Sequence, residues 1–198
     1  MISLYVKDAG GIWLGVACDN EKLFATMFAF SEKRALQGLL ESVPFNMPFQ
    51  QLEIASAFAE QVIALLKDIY DGKGASADVS LAMEHLSNYS RRVIKVTLLI
   101  PVGYVASYGS VAKAAGGSSR AVGRVMASNP FAPIVPCHRV VSSDFTLGGY
   151  GGGLDVKLEI LKRESRSYTS KREIQVNNKK LELFPVEFVF KRLEKGKC

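Results

Sequence analysis

One segment of this 198-residue chain places a thiol next to two basic side chains. Cys137 follows Pro136 and precedes His138 and Arg139. A cation beside a cysteine lowers the pKa of its thiol and favours the nucleophilic thiolate. The pattern predicts a reactive cysteine, although an inert buried cysteine beside an unrelated histidine would look the same. Zinc binding is disfavoured, because the chain has three cysteines and two histidines, and adjacent residues do not easily hold one zinc ion.

A glycine-rich stretch follows this cysteine, from Thr146 to Leu154, and contains one large aromatic residue, Tyr150. It lacks the lysine of a phosphate-binding loop and the strand-to-helix fingerprint of a dinucleotide site. Glycines let backbone amides come close to a ligand, so the stretch fits a flat ligand on which Tyr150 stacks. A mobile surface loop is the alternative.

Residues 107–126 predict two short helices joined by a glycine turn, which is the pattern of a helix-turn-helix. Ser118 or Ser119 would cap the second helix, and Arg120 and Arg124 lie four residues apart on one of its faces. The pattern alone favours DNA binding no more strongly than an ordinary helical hairpin, so both interpretations stay open.

These segments occur together in an order and spacing that closely resemble the O6-alkylguanine-DNA alkyltransferases. The resemblance covers about residues 88–164 and, more loosely, the residues before them. The segments that carry it are Arg120-Ala121-Val122-Gly123, Asn129-Pro130, Pro136-Cys137-His138-Arg139-Val140, Gly148-Gly149-Tyr150 and Gly152-Gly153-Leu154. The chain departs from the family at Gly151, where many members have serine, and at Arg124, where a small residue is common. The residues after about 166 have no counterpart in the family pattern.

The resemblance implies DNA repair by direct reversal, in which a cysteine takes the alkyl group from the O6 atom of a damaged guanine and keeps it. It identifies Cys137 as the acceptor and His138 as the base that takes the thiol proton through a water molecule. Glu164 matches the acid that orients His138. Tyr108 matches the tyrosine that rotates the damaged nucleotide out of the duplex and protonates the leaving guanine.

The resemblance also implies how the damaged nucleotide is held. Arg120 would fill the gap in the duplex, with Ser119 and Arg124 beside it on the DNA-binding helix. Asn129 would fix the turn before the cysteine. The residues expected to form the base pocket are Met126, Val140, Tyr150 and Gly151.

The expected function is that of a single-turnover methyltransferase, without cofactor or metal, which acts as a monomer on double-stranded DNA containing O6-alkylguanine. One alternative is a non-enzymatic protein that binds alkylated DNA and flags lesions. Cys137 argues against it, because relatives of that kind have lost the cysteine. Another alternative is a helix-turn-helix transcription factor, which a sequence-specific footprint on undamaged DNA would favour.

The elements that must position these residues begin with a predicted α/β domain over residues 1–80. Its first thirty residues alternate in polarity and predict a small antiparallel sheet. A helix capped by Ser31 and a longer helix over about 49–70 are expected to follow.

The rest of the chain is predicted to form a second domain and a C-terminal extension. Residues 81–165 are expected to form a mostly helical DNA-binding and alkyl-acceptor domain that contains the helix-turn-helix. Residues 166–198 are a basic C-terminal extension, where alternating apolar residues around 177–180 predict a β-hairpin and residues 186–190 an apolar strand.

The charge is uneven along the chain. The net charge of +6 divides into −5 for residues 1–90, +5 for 91–161 and +6 for 162–198. A basic back half fits nucleic acid binding, or a tail that merely aids solubility. No stretch approaches the ~20 uninterrupted apolar residues of a membrane span, and the start does not read as a signal peptide. Three separated cysteines are typical of a reducing compartment, so we expect a cytoplasmic protein, or a nuclear one in a eukaryote.

Overall fold

The computed structural model describes residues 1–74 and 79–196, and it begins with a four-stranded sheet. Strands β1 (Ile2–Asp8), β2 (Trp13–Cys18) and β3 (Leu23–Ala29) pair antiparallel in chain order, which confirms the predicted meander. A fourth strand, β4 (Phe49–Gln51), pairs parallel to β1. The sheet is therefore mixed and not purely antiparallel.

Two helices pack on opposite faces of this sheet, α1 (Glu32–Ser42) and α2 (Ala57–Tyr70). Helix α1 begins after Ser31, whose hydroxyl accepts a hydrogen bond from an amide of the first turn, as predicted. The predicted helix over 49–70 is wrong in its first eight residues. Residues 49–51 join the edge of the sheet instead, and α2 starts only after Ser56, which caps it.

The second half of the chain contains the elements that carry the predicted site. They are α3 (Asn88–Thr97), β5 (Tyr104–Ser107), α4 (Tyr108–Ala115), α5 (Ser119–Ala127), β6 (Val140–Val141) and α6 (Leu154–Arg163). Two helices flank the glycine turn as predicted. Ser118, and not Ser119, is the residue that caps α5, since its hydroxyl accepts from the amide of Ala121 at 3.3 Å.

The C-terminal residues complete a second sheet. Strands β7 (Arg172–Val176) and β8 (Lys179–Pro185) form the predicted hairpin, and β8 also pairs antiparallel with β5, giving the strand order β6-β5-β8-β7. Residues 81–165 contain four α-helices and two short strands, as expected for a mostly helical segment, and strands β7 and β8 of the C-terminal extension make this half mixed α/β. The predicted strand over 186–190 is wrong, because this segment opens helix α7 (Glu187–Lys195). Val186 and Val189 are both buried, a spacing that suits a helix.

The edge strand β3 ties the two halves together. The backbone of Leu23 hydrogen-bonds to Ser80 and Ala82, and the backbone amide of Thr26 donates to the carbonyl oxygen of Pro130 at 2.8 Å. The predicted domain boundary near residue 80 stays a prediction, since residues 75–78 lie outside the described structure. Within the described ranges, no helix has the length and apolar character needed to cross a membrane.

Candidate active site

Cys137 opens a single 3₁₀ turn, Cys137–Arg139, that leads directly into β6. The chain before it is braced by Asn129, whose side chain donates to the carbonyl oxygen of Val135 and accepts from the amide of Phe131, both at 3.1 Å. Thr26 of β3 adds a hydrogen bond from its hydroxyl to the carbonyl oxygen of Ala132 at 2.8 Å. The cysteine is thus held between the first sheet and the second.

Cys137 lines a pocket of about 430 Å³ and is 5% exposed. The pocket is lined by Tyr108, Gly123, Met126, Ala127, Cys137, Gly149, Tyr150 and Gly151. The structure thus brings the predicted thiol, both predicted tyrosines, Met126 and Gly151 to one cavity. The glycine-rich stretch forms one wall of it.

Gly148 allows this wall to approach Tyr108. Its φ of +68° lies in the left-handed region, and a Cβ atom at this position would be 3.0 Å from the Tyr108 ring. Any side chain here would strain the backbone and press on the tyrosine. The glycine therefore sets the position of Tyr108 at the pocket.

Behind the cysteine, His138 and Glu164 form a buried pair. The Nε2 atom of His138 lies 3.0 Å from Oε1 of Glu164. His138 and Arg139 hold the pKa of the Glu164 carboxyl at about 2, against the opposing effect of burial. Glu164 is therefore a carboxylate that can only accept, so Nε2 of His138 must carry the proton and donate it.

This arrangement leaves the other ring nitrogen of His138 as an acceptor. Burial lowers the pKa of His138, so the ring is neutral near pH 7. Its Nδ1 atom is buried and makes no hydrogen bond within the part of the chain that the structure describes. A neutral imidazole with a free lone pair, on the residue that follows the cysteine in the chain, has the protonation state that a general base requires.

Arg139 is engaged by the carboxylate and not by the thiol. Its Nε and Nη2 atoms donate to Glu164, at 2.9 and 2.6 Å, and its Nη1 atom donates to the carbonyl oxygen of Ile100 at 2.6 Å. Burial instead raises the pKa of the Cys137 thiol, an effect that Asn129 and Lys157 only partly offset. The prediction that Arg139 lowers the pKa of the Cys137 thiol is therefore wrong. The cysteine rests as a thiol and needs a base to become the thiolate.

Lys157 is a further residue of the site, and no motif in the sequence marks it. This lysine of α6 is fully buried, and its Nζ atom donates to the carbonyl oxygens of Val140 at 2.7 Å and Gly149 at 3.4 Å, and also to that of Leu147. It joins the cysteine turn to the glycine-rich wall. The signal in the sequence is its place on the apolar stripe of α6, three and four residues before Ile160 and Leu161.

The remaining predicted residues lie outside the pocket. Ser119, Arg120 and Arg124 are exposed on α5. The side chain of Val140 is fully buried in the core behind the pocket, and its carbonyl oxygen is taken by Lys157. Asn129 lies at the turn before the cysteine. The structure therefore separates an exposed helix face from a buried reaction centre.

Comparison with known proteins gives consistent matches over this half of the chain. Residues 88–166 match the family model described as "6-O-methylguanine DNA methyltransferase, DNA binding domain". The methylated-DNA–protein-cysteine methyltransferase of Methanothermobacter thermautotrophicus is 37% identical over 109 residues, 54% of this chain. The chain spans only 62% of the length of that relative.

Two further proteins resemble more of the chain. The methylated-DNA–protein-cysteine methyltransferase of Methanosarcina acetivorans is 35% identical over 133 residues, which are 63% of this chain and 85% of the relative. The crystal structure of Mycobacterium tuberculosis OGT in complex with DNA is similar with a TM-score of 0.66 and 28% identity, covering 82% of this chain and 92% of that one. The sequence and the fold agree, and the chain belongs to the methylated-DNA–protein-cysteine methyltransferase family.

Proposed function

We propose that this protein repairs O6-alkylguanine in double-stranded DNA by moving the alkyl group to the sulfur of Cys137, once per molecule. The observation that carries the proposal is a buried thiol that lines a pocket and is followed in the chain by a neutral histidine whose buried Nδ1 atom has no partner among the described residues. The family assignment and the likeness to a structure solved with DNA support it.

In the proposed reaction, His138 takes the thiol proton of Cys137 through a bridging water molecule, which the adjacent side chains need in order to meet. The thiolate attacks the alkyl carbon in line, forming the carbon–sulfur bond as the bond to O6 breaks. Tyr108 donates a proton to the departing guanine. Glu164 stabilises the positive charge that develops on His138, because a buried imidazolium needs a negatively charged partner.

The proposed DNA interface is the exposed face of α5, with α4 and α5 acting as a helix-turn-helix. Three small residues of α5, Ala121, Gly123 and Ala127, let its backbone approach the narrow minor groove. Arg120 would fill the gap left by the extruded nucleotide, flanked by Ser119 and Arg124. Extrusion costs a few kcal/mol and costs less for a base that pairs poorly, which favours the lesion.

The extruded base would enter the pocket between Met126 and Tyr150, with the backbone of Gly151 at its edge. Space around Gly151 is open, since a Cβ atom there would meet nothing within 4 Å. We therefore expect alkyl groups larger than methyl to be accepted. One chain holds the whole set of residues, so we expect a monomer to be active.

The test is to incubate the protein with a duplex that contains one O6-methylguanine and to measure its intact mass. The protein should gain one methyl group, mapped to Cys137, and then stop. Cys137→Ala should bind the lesion duplex yet gain nothing, whereas Cys18→Ala should react like the parent protein. Methylation elsewhere, several turnovers per molecule, or binding without transfer by the parent protein would each overturn the proposal.

A further inference from the structure

A groove lies outside the reaction centre, between α3, the end of α4 and the tip of the C-terminal hairpin. Its volume is about 740 Å³. Its lining residues are Arg92, Lys95, Val96, Leu99, Ala114, Ala115, Gly116, Val176, Asn177, Asn178 and Lys179. Three of these residues are cations, and none of the described residues that line the groove carries a carboxylate. We call this feature the hairpin groove.

The hairpin that forms one side of the groove is fixed to the body. The hydroxyl of Ser110 in α4 donates to the carbonyl oxygen of Glu182 at 2.9 Å and accepts from the amide of Glu182 at 2.8 Å. Leu181 and Leu183 of β8 are fully buried in the same core cluster as Cys137. The backbone that carries the cations of the hairpin tip is therefore tied to α4.

The groove lies beside the turn that leads into the proposed DNA-binding helix. Gly116 belongs both to this turn and to the groove lining, and a Cβ atom on it would be 3.6 Å from the Nζ atom of Lys179. The Nε atom of Arg92 donates to the carbonyl oxygen of Ala115 at 3.3 Å, which holds its guanidinium at the end of α4. The groove thus reaches the end of α4 and the turn that leads into α5.

The lining matches the chemistry of a sugar–phosphate backbone. The cations Arg92, Lys95 and Lys179 suit phosphate oxygens, while Leu99 and Val176 offer apolar surface to deoxyribose carbons. Apolar walls also strengthen the attraction between a cation and an anion, because the local dielectric constant is low. Lys180, the next residue along β8, is engaged elsewhere, since its Nζ atom lies 2.8 Å from Glu173.

We propose that the hairpin groove binds the phosphate backbone of the duplex next to the lesion and so extends the contact made by α5. This inference rests on the proposed function, because it assumes a DNA substrate. These phosphate contacts would raise the affinity for DNA independently of its sequence.

The experiment substitutes the two exposed lysines of the groove, Lys95→Gln and Lys179→Gln, alone and together. Arg92 is left in place because its side chain also donates a hydrogen bond to the carbonyl oxygen of Ala115 at the end of α4. For each variant, the affinity for undamaged and lesion duplex is measured across a range of salt concentrations. The slope of log affinity against log salt should become less steep by about 0.9 for each phosphate contact removed. The loss should be the same for both duplexes.

Lys180→Gln is the matched control, since it removes the same charge from the neighbouring residue of the same strand. It should leave the slope unchanged if the groove, and not the net charge, binds DNA. Reaction of Cys137 with the free base O6-benzylguanine should be unchanged in all variants. An unchanged slope in the double variant, or equal effects of Lys179→Gln and Lys180→Gln, would overturn the groove proposal. Absence of methyl transfer by the parent protein would instead overturn the proposed function.

Discussion

At the scale of single residues, the reaction centre depends on one buried carboxylate that serves two basic groups. Glu164 is 1% exposed and accepts hydrogen bonds from both His138 and Arg139. A buried charge is tolerated only when it is paired and hydrogen-bonded. Removing it would leave the Arg139 guanidinium buried without its partner, so Glu164 stabilises the fold as well as orienting the histidine.

Glu164→Gln should lower the free energy of unfolding near pH 7 by about 3 kcal/mol, since the pKa of this group falls from 4.5 to about 2 on folding. A lowered pKa in the folded state gives stability above pH 4.5 that is lost as the pH falls towards 2. The gap between parent and variant, measured by urea unfolding, should therefore narrow over that range. A gap that stays constant with pH would contradict the assignment.

Lys157 should show a pH dependence of the same sign as Glu164, but at higher pH. Burial lowers its pKa from 10.5 to about 8, so between these values the unfolded chain binds more protons than the folded protein. Stability from this group therefore rises with pH over this range. Relative to the Lys157→Met variant, the unfolding free energy of the parent protein should climb between pH 8 and 10.5. Groups that titrate in this range without interacting with Lys157 cancel in the difference, whereas Cys137, whose thiol pKa Lys157 lowers, does not.

The same variant should also impair the reaction. Without the Lys157 ammonium, the carbonyl oxygens of Val140, Leu147 and Gly149 lose a shared donor, and the glycine-rich wall is no longer tied to the cysteine turn. We expect a slower reaction of Cys137 with O6-benzylguanine. A variant that reacts at the rate of the parent protein would show that the lysine has a purely structural role.

At the scale of elements, the proposed mechanism assigns the chemistry to the start of α4 and the extrusion of the nucleotide to α5. Tyr108 begins α4 and lines the pocket, while Arg120 is exposed in the first turn of α5 and is not among the residues that line the pocket. Arg120→Ala should therefore slow repair of a lesion in duplex DNA far more than reaction with O6-benzylguanine. His138→Ala provides the contrast, because loss of the base should slow both reactions. Equal losses on both substrates for Arg120→Ala would contradict its role in extrusion.

The sequence was informative where a local signal decides an element. The meander, the Ser31 cap, the helix pair around the glycine turn and the C-terminal hairpin are each encoded by neighbouring residues. The predictions from sequence were wrong where contacts with residues distant in the chain determine the secondary structure. Residues 49–51 form a strand only because β1 offers them an edge, and the apolar run after residue 185 becomes a helix as it packs beside β5 and β6.

The same distinction holds for the site. The identities of Cys137, His138, Glu164 and the pocket residues follow from segments that resemble a known family. The partners of Arg139 and Lys157 do not, because each reaches a carboxylate or carbonyl oxygens supplied by other elements. A lysine in the apolar stripe of a helix indicates a buried charge that needs hydrogen-bond partners, but only the fold shows which carbonyl oxygens accept its hydrogen bonds.

At the scale of the whole molecule, the basic C-terminal segment is part of the fold and not an arm. Its fully buried side chains include Leu181 and Leu183 in the core that holds the cysteine, and Val186 and Val189 against β5, β6 and α6. Its described cations fall into three groups: Arg166, Lys171 and Arg172 around the start of β7, Lys179 and Lys180 at the hairpin tip, and those on α7. Loss of the segment would therefore remove core and charge at once.

Truncation after Ser167 should destabilise the protein severely. Each of the four buried side chains contributes about 1.5–3 kcal/mol, and their sum is comparable to the ~5–15 kcal/mol that holds a typical domain together. Truncation would also uncover the edge of β5, which β8 covers. We expect the shortened chain to melt far below the parent protein, or to remain unfolded, when thermal unfolding is followed by circular dichroism.

Charge alone should not have this effect. The double variant Lys191→Gln and Lys195→Gln removes two charges from α7 without touching a buried side chain, so its melting temperature should stay within a few degrees of that of the parent protein. The contrary outcome is that the truncated chain has the same melting temperature as the parent protein and still reacts with O6-benzylguanine. In that case the buried leucines and valines add little to stability. The segment would then serve only as a source of charge, which their complete burial argues against.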